Sequence, residues 1–237
     1  MRCKQLLCPV PPFSIISPSC EQADEDTSWR YTDDVIRCAI TDASRFGPDF
    51  EAQLAGLTAD AVRWAELGVD FVQLREKTLA AGQLSQLAKA MMDVLREHGG
   101  TTKLLINGRA DIALAIGADG VHLTSSPSEL TPAQVRQLFA AAGKSEPIVS
   151  ASCHTLADAL RARAAGVDFI LFGPVFGKTV ERVLVAEAAG LKMLRDVCEA
   201  TSGVPVLALG GVDEENATAC LAAGAAGVAG IRLFSQG

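Results

Sequence analysis

A short segment recurs four times along the chain and restricts the folds that it can adopt. The copies are "GVDFVQL" from Gly68, "GADGVHL" from Gly117, "GVDFILF" from Gly166 and "GAAGVAG" from Gly224. Each begins with a glycine, which suits the left-handed residue that ends a helix, and continues as a short apolar strand. Repetition at intervals of about 50 residues indicates that one supersecondary unit is used several times.

A second apolar run accompanies each copy. These runs are "VIRCAIT" from Val35, "KLLIN" from Lys103, "PIVSAS" from Pro147 and "PVLALGG" from Pro205. Continuous apolar runs are typical of parallel strands buried on both faces, and helical stretches such as Leu84 to His98 separate them. Eight strands that alternate with helices predict an α/β fold of the (β/α)8 TIM barrel type. A doubly wound open sheet fits less well, because the repeat spans the chain and no G-x-G-x-x-G follows the first strand.

The two ends of the chain depart from this pattern. Residues 1–33 are rich in Pro, Ser and acidic side chains and show no periodicity, so we predict a flexible N-terminal extension followed by a barrel over residues 34–237. After the predicted eighth strand, Gly227 to Ile231, only residues 232–237 remain, so the eighth helix must be short or missing. Its groove could stay open, be filled by the extension, or be covered by a second subunit of a homo-oligomer.

Composition excludes several classes of function. A net charge of −7 and a pI near 5.0 disfavour nucleic acid as a partner, since its binding needs a basic surface. No apolar run reaches the length of a membrane span, and prolines interrupt the apolar stretch near the N-terminus. Cys38, Cys198 and Cys220 fall in apolar surroundings, which favours buried thiols in a reducing compartment. We therefore expect a cytoplasmic protein that binds neither nucleic acid nor membranes.

The functional site of such barrels lies at the carboxyl ends of the strands. The candidate substrate-binding residues there are Gln73, Arg75, Lys77, Asn107, Ser152, Gly173, Lys178, Thr179, Gly210, Gly211, Ile231 and Arg232. Several are cationic although the protein is acidic, which predicts a phosphorylated small molecule as the ligand. Gly210, Gly211 and Arg232 follow strands 7 and 8, the usual phosphate-binding position of these barrels. The alternative is that the glycines only form a turn and Arg232 is solvated.

Residues after strand 2 present a basic face. Gln73, Arg75 and Lys77 alternate along the chain and therefore share one side of the strand, where we expect them to contact the ligand. The alternative is an ion pair with a neighbouring acid such as Glu76. The acidic residues near the strand ends form no evident pair for Mg²⁺, so we predict no metal site and no cofactor.

Histidine supplies the candidate for proton transfer. His154 follows strand 5, where an imidazole could exchange protons near neutral pH, although it could equally form local hydrogen bonds at a helix start. His122 lies within "GVHL", and we interpret it as a buried polar residue whose hydrogen bonds are satisfied. Cys153 is a weaker candidate, as a nucleophile.

Taken together, these segments resemble a known superfamily. "ITD", "VQLREK", "LLINGRADIALAIGADGVHL", "SCHTLADA", "GVDFILFGPVF", "PVLALGGV" and "GAAGVAGI" are similar in order and spacing to the thiamine-phosphate synthase/thiazole tautomerase superfamily, over about residues 36–234. The resemblance implies an enzyme of thiamine biosynthesis that acts on a thiazole phosphate.

This superfamily has two branches, and their reactions differ in whether they need a metal. In the synthases, a pyrimidine diphosphate loses pyrophosphate with the help of Mg²⁺. The pyrimidine that remains then forms a bond to a thiazole phosphate. Their Mg²⁺ ligands are the aspartate of Asn-Asp-Arg after strand 3 and an aspartate after strand 4, and the matching positions here are Gly108 and Pro127. Their Thr-Pro-Thr-Lys segment after strand 6 is also replaced, by "GKTVER".

The tautomerase branch fits these positions better. Its members isomerise a carboxylated dihydrothiazole phosphate without a metal, with a histidine after strand 5 that corresponds to His154. We therefore expect a metal-independent thiazole tautomerase, with His154 as the acid/base group. The alternatives are a thiamine-phosphate synthase with altered Mg²⁺ binding, whose ligands could be Asp42 or Glu76, and a non-catalytic paralogue that binds thiazole phosphate.

Overall fold

A computed structural model of the protein describes residues 35–98, 100–126, 128–180, 183–186 and 188–234, and for 178–180 and 183–186 it describes the backbone alone. The predicted extension, residues 1–33, lies outside this part, as does Pro127. The strands are β1 (Ile36–Ile40), β2 (Phe71–Leu74), β3 (Lys103–Asn107), β4 (Gly120–Leu123), β5 (Ile148–Cys153), β6 (Phe169–Phe172), β7 (Lys178–Val180), β8 (Val183–Ala186), β9 (Val206–Leu209) and β10 (Gly227–Gly230). The helices are α1 (Phe50–Glu66), α2 (Ala81–Glu97), α3 (Ala110–Ile116), α4 (Pro132–Ala141), α5 (Leu156–Ala164), α6 (Gly190–Ala200) and α7 (Ala217–Ala222).

Eight of these strands close into a parallel barrel. Their order is β1-β10-β9-β6-β5-β4-β3-β2, and each pairs with its neighbours in parallel register. The predicted TIM barrel is therefore confirmed. The remaining two strands, β7 and β8, form a separate antiparallel hairpin after β6, which the sequence pattern did not predict.

The structure explains two features of the recurring segment. Its glycines Gly68, Gly117, Gly166 and Gly224 all have positive φ, between 63° and 100°, where each helix gives way to the next strand. The aspartate that follows two residues later in the first three copies joins that strand to the preceding one. The carboxylate–backbone pairs are Asp70 with the N–H of Arg37, Asp119 with that of Leu104 and Asp168 with that of Val149, at 2.6–2.9 Å. These aspartates therefore fasten the amino ends of the strands, opposite the candidate site.

Apolar side chains fill the interior of the barrel. Phe71 and Phe169 meet there, with ring centroids 4.7 Å apart, and Leu105 and Leu207 are fully buried beside them. A larger apolar layer lies between the strands and the helices around them. This packing makes the barrel a filled core, so a ligand can enter only at its ends.

No helix follows β10 within residues 231–234, as the sequence predicts. Leu233 and Phe234 belong to the same buried apolar cluster as Trp64 of α1, and all three are at most 6% exposed. Residues 233 and 234 thus lie against α1, a contact that none of the alternatives from the sequence included. Among the described residues, no helix is both long and apolar enough to cross a membrane.

Candidate functional site

A cavity of about 480 Å³ opens at the carboxyl ends of β2, β3 and β4. Its lining includes Lys77, Asn107, Gly108, Thr124 and Glu129. The parallel barrel brings these residues together, because the loops that follow neighbouring strands meet at one end of the sheet. Two of the predicted substrate-binding residues, Lys77 and Asn107, therefore share one cavity.

Gln73 and Asn107 form a polar pair at the inner end of this region. The amide Nε2 of Gln73 donates a hydrogen bond to Oδ1 of Asn107 at 2.8 Å. Gln73 is 3% exposed, and its Oε1 is buried without a hydrogen-bond partner among the described residues. A buried acceptor of this kind is costly to leave unpaired, so this oxygen is suited to accept an N–H from a ligand.

The basic residues after β2 are not neutralised by neighbouring acids. Lys77 is exposed, Arg75 is half-buried, and neither forms an ion pair within the part of the chain that the structure describes. Burial raises the pKa of Glu76, the acid between them, and its Oε1 is buried without a hydrogen-bond partner. Among the described residues, the ion pair that the sequence left open as an alternative is therefore not formed, although the charge of Arg75 acts on Glu76 and favours its ionised form.

The ring of His154 has a defined orientation at the end of β5. Its Nδ1 lies 2.6 Å from the backbone carbonyl oxygen of Gly173, which can only accept a hydrogen bond. Nδ1 therefore carries a proton, and in the neutral ring the lone pair lies on Nε2. An exposed imidazole held in this tautomer is able to act as a proton acceptor through Nε2.

Ser152, a predicted substrate-binding residue, is engaged by another histidine. His122 is 1% exposed and lies between two hydroxyls, with Nδ1 2.9 Å from Oγ of Ser150 and Nε2 2.8 Å from Oγ of Ser152. Burial, together with the charge of Arg75, lowers the pKa of His122 to about 3. His122 is thus a neutral, satisfied core residue, as predicted. Ser152 also lines a second cavity of about 430 Å³ on the other side of the β4 loop.

Cys153 is unsuited to act as a nucleophile. Its side chain is 1% exposed, and burial raises the pKa of its thiol to about 12. The thiolate, which is the reactive form, is therefore scarcely populated at neutral pH.

Three candidate glycines have packing roles that the structure makes visible. A Cβ at Gly173 would collide with the carbonyl oxygen of Leu209, so β6 and β9 can approach only because this residue has no side chain. A Cβ at Gly210 would lie 2.6 Å from Cα of Pro174, and one at Gly211 would lie 2.7 Å from Cβ of Phe176. The glycines are thus explained by packing, and their contact with a phosphate stays a prediction.

The other candidates lie apart from the 480 Å³ cavity. Ile231 and Arg232 follow β10, with Arg232 exposed, and they line neither of the two cavities. The backbone of Lys178 and Thr179 lies in β7, and their side chains fall outside the described part of the chain. Binding of substrate by these four residues therefore stays a prediction.

Glu129 lines the cavity and was not among the predicted residues. It lies in the loop between β4 and α4, and its Oε2 accepts hydrogen bonds from the backbone N–H and the hydroxyl of Thr124, at 3.1 and 2.7 Å. A Cβ placed on Gly108 would be 3.4 Å from this oxygen. The only sequence signal was an acidic residue in a loop after a barrel strand, which is too common to single out.

The described residues contain no cluster of three or more His, Cys, Asp or Glu side chains that could enclose a metal ion. Asp42, one alternative ligand, is engaged in capping the turn that follows β1, where it accepts from the N–H and hydroxyl of Ser44. Mg²⁺, however, needs only one or two protein carboxylates when substrate phosphates and water complete its shell. By this criterion, the carboxylate of Glu129 fits a divalent cation that is held jointly with a phosphorylated ligand.

Comparisons with known proteins agree with the resemblance seen in the sequence. The chain is 45% identical over 162 residues to a putative thiamine-phosphate synthase of Geobacter sulfurreducens, which covers 68% of this chain and 71% of that protein. It is 33% identical to a thiamine-phosphate synthase of Chlorobium phaeobacteroides, over 84% of this chain and 87% of that protein. Among solved structures, it is similar to a thiamine phosphate pyrophosphorylase from Pyrococcus furiosus, with a TM-score of 0.66, 28% identity, and coverage of 84% of this chain and 86% of that one.

The two sequence relatives are named as a putative and a full thiamine-phosphate synthase, the reaction that was the first alternative to the tautomerase. The family model for thiamine monophosphate synthase matches residues 38–234, nearly the whole barrel. The chain belongs to the thiamine monophosphate synthase (TMP-TENI) family.

Proposed function

We propose that the protein is a thiamine-phosphate synthase, a transferase that joins hydroxymethylpyrimidine diphosphate to thiazole phosphate and releases pyrophosphate. The names of its relatives support this reaction over the tautomerase. The single observation that carries the proposal is the cavity at β2–β4, where a free cation, Lys77, and a carboxylate, Glu129, line the same space. A diphosphate and a divalent cation require these two opposite charges together.

In this reaction, one set of residues binds the pyrimidine ring and another binds the diphosphate. Gln73 and Asn107 hold the pyrimidine ring, because the buried Oε1 of Gln73 is an acceptor without a partner among the described residues. Lys77 and Arg75 bind the diphosphate and stabilise the negative charge that grows on it as its bond to the pyrimidine methylene carbon breaks. The thiazole nitrogen then forms the new bond to that carbon. A divalent cation held with Glu129 would add Lewis-acid neutralisation of the leaving group.

The thiazole phosphate would bind at the other side of the mouth. Gly210, Gly211 and Arg232 are the proposed phosphate site, since they follow β9 and β10, the usual position in these barrels. The lining of the 480 Å³ cavity does not include them, which leaves that cavity to the diphosphate.

The test is formation of thiamine phosphate from the two substrates with Mg²⁺. We expect product from the wild type and a loss of about 10- to 100-fold in kcat/KM for Lys77→Ala, the value of a charge-assisted hydrogen bond of about 1.5–3 kcal/mol. Lys192→Ala is the matched control, because Lys192 is an exposed cation on α6 that pairs with Asp196. A wild type without product, at any Mg²⁺ concentration, would reject the synthase.

A specific observation favours the thiazole tautomerase as the second candidate. The hydrogen bond from Nδ1 of His154 to Gly173 leaves Nε2 as a base, and proton transfer is the whole of that reaction. Turnover of the dihydrothiazole tautomer by the wild type, absent in His154→Ala, would support it. Binding of thiazole phosphate without either turnover would instead identify a non-catalytic binding protein.

A further inference from the structure

Polar side chains line the inside of the barrel beneath its mouth. His122 in β4 pairs in register with Ser150 in β5, and Ser152 follows on the same face of β5, nearer the carboxyl end. Ser150 and His122 are at most 1% exposed, whereas Ser152 is half-buried. The imidazole of His122, in contact with both hydroxyls, therefore joins a serine that no ligand can reach to one that a ligand can reach.

Each ring nitrogen of His122 faces one hydroxyl oxygen, so two arrangements of the hydrogen atoms are possible. Burial, together with the charge of Arg75, lowers the pKa of His122 to about 3, so the ring is neutral at pH 7. A neutral imidazole donates a hydrogen bond through one nitrogen and accepts through the other. One serine therefore donates to the ring, and the other serine accepts from it.

The burial of Ser150 decides between the two arrangements. Among the described residues, the hydrogen-bond partner of its Oγ is Nδ1 of His122, 2.9 Å away. A proton on Nδ1 would leave the hydroxyl hydrogen of Ser150 buried without an acceptor, which is costly. The opposite arrangement leaves only the hydroxyl hydrogen of Ser152 unused, and this residue is in contact with solvent. Ser150 therefore donates to Nδ1, and the Nε2–H of His122 donates to Oγ of Ser152.

The ligand that the free hydroxyl hydrogen of Ser152 fits is an oxyanion, because phosphate oxygens only accept hydrogen bonds. The charge of Arg75 acts on the ring of His122, so Arg75 and Ser152 serve the same side of the mouth. The 430 Å³ cavity, which Ser152 lines, shares three loop residues with the 480 Å³ cavity: Thr124, Ser126 and Glu129. A diphosphate bound by Arg75 is therefore the ligand that we assign to this hydroxyl.

We infer that Ser150 and His122 are positioning residues, which together turn the hydroxyl hydrogen of Ser152 toward the diphosphate, so that Ser152 binds it as a donor. The inference rests on the proposed function for the identity of the ligand. Neither Ser150 nor His122 touches the ligand, and each acts through the next hydroxyl or ring nitrogen in the series.

The first test is the tautomer of His122, read from ¹⁵N-edited spectra at pH 8 and assigned by the loss of its signal in His122→Gln. We expect a protonated Nε2 and an unprotonated Nδ1. This is the opposite of the tautomer that the carbonyl oxygen of Gly173 imposes on His154, so one spectrum should contain both forms. A protonated Nδ1 at His122 in the wild type overturns the inference.

The second test measures the binding of inorganic pyrophosphate, with Mg²⁺ present, by isothermal titration calorimetry. Ser152→Ala removes the donor and should weaken binding by about 10-fold or more, the value of a hydrogen bond to a charged group. Ser202→Ala is the matched control, since Ser202 is an exposed serine between α6 and β9, and it should bind as the wild type does.

Substitutions of His122 separate the orientation of Ser152 from its presence. The amide of His122→Gln offers an acceptor to Ser150 and a donor to Ser152, so this variant should keep the affinity of the wild type. His122→Leu offers neither, and it should bind pyrophosphate about 3- to 10-fold more weakly, the cost of ordering one side chain on binding. Equal affinities of the two variants overturn the positioning role.

A spectroscopic signature connects the ligand to the buried ring. When Ser152 donates to pyrophosphate, its oxygen becomes a stronger acceptor, so the Nε2–H proton of His122 should shift downfield in the wild type and not in Ser152→Ala. Where His122→Leu does not fold, the tautomer and this shift decide the question.

These readouts are independent of turnover. No binding of pyrophosphate by the wild type, or binding without a shift at His122, overturns the inference, whether or not thiamine phosphate is formed. The expected tautomer and shift in a protein that forms no thiamine phosphate keep the inference and reject the synthase.

Discussion

The indole Nε1–H of Trp64 in α1 donates a hydrogen bond to the backbone carbonyl oxygen of Phe234 at 3.0 Å. The two residues are 170 positions apart in the sequence. Trp64 is 1% exposed, and Leu233 and Phe234 are buried against it. This contact joins the segment that follows β10 to α1. The stability of α1 should therefore depend on residues beyond the last strand.

We expect Phe234→Ala to lower the free energy of unfolding by about 3–5 kcal/mol, because it leaves a cavity beside Trp64. Trp64→Phe should lower it by about 1 kcal/mol through the lost hydrogen bond. The part of the indole volume that phenylalanine does not fill should add to this loss. Urea denaturation followed by circular dichroism measures both. Leu160→Ala, at a residue that is 42% exposed on α5, is the control and should change stability by less than about 0.5 kcal/mol. Equal, small effects at all three positions would mean that the C-terminal segment does not support the barrel.

His122 makes the stability of the barrel sensitive to mild acid. Its pKa is about 3 in the folded protein, where burial opposes the charge, against an ordinary value of 6.5. Below pH 6.5 the unfolded chain takes up a proton at His122 that the folded barrel does not, so stability is lost as the pH falls from 6.5 toward 3. We expect the free energy of unfolding to fall by up to about 1.4 kcal/mol per pH unit from this residue.

Unfolding of the wild type and of His122→Gln in urea between pH 7 and pH 4.5 measures this slope, which should be shallower in the variant. Where the variant does not fold, the ¹³C and ¹⁵N shifts of His122 in the wild type give the same information, since the ring should stay neutral down to about pH 4. A ring that titrates near pH 6.5 would contradict the burial of His122 between Ser150 and Ser152.

The tautomer of His154 is directly measurable. Because Nδ1 faces the carbonyl oxygen of Gly173, the neutral ring should carry its proton on Nδ1. ¹⁵N-edited spectra at pH 8 should show a protonated Nδ1 and an unprotonated Nε2, with the signal assigned by its loss in His154→Gln. The Nε2–H tautomer as the main form would remove the structural basis for a base at this position.

Two glycine-to-alanine substitutions should have opposite effects. Gly173→Ala would place a methyl group against the carbonyl oxygen of Leu209. It should lower the free energy of unfolding by about 3 kcal/mol, the upper end of the usual cost of over-packing. Gly82 lies in α2 with open space around its Cβ position, so Gly82→Ala should raise stability by up to about 1 kcal/mol. Thermal unfolding of both variants measures the contrast. Similar melting temperatures would show that β6 and β9 can move apart at no cost.

The sequence by itself determined the architecture of this protein. The glycine that ends each helix and the apolar strand after it are local signals, and the eight barrel strands lie close to where these signals predict them. The burial of His122 followed from its place in an apolar strand, where a polar side chain must find partners inside the barrel.

Only the tertiary structure decided which loop residues meet. Glu129 lies beside Gly108, and Phe234 beside Trp64, because loops and turns from different strands are brought together by the closure of the barrel, and no local periodicity encodes such contacts. The hairpin of β7 and β8 was missed for a related reason, since the pairing of these two strands with each other is not part of the repeat that identifies the barrel strands. The fold could thus be predicted from hydrophobic pattern and turn chemistry, whereas the composition of the candidate site depends on distances between segments that are remote in sequence.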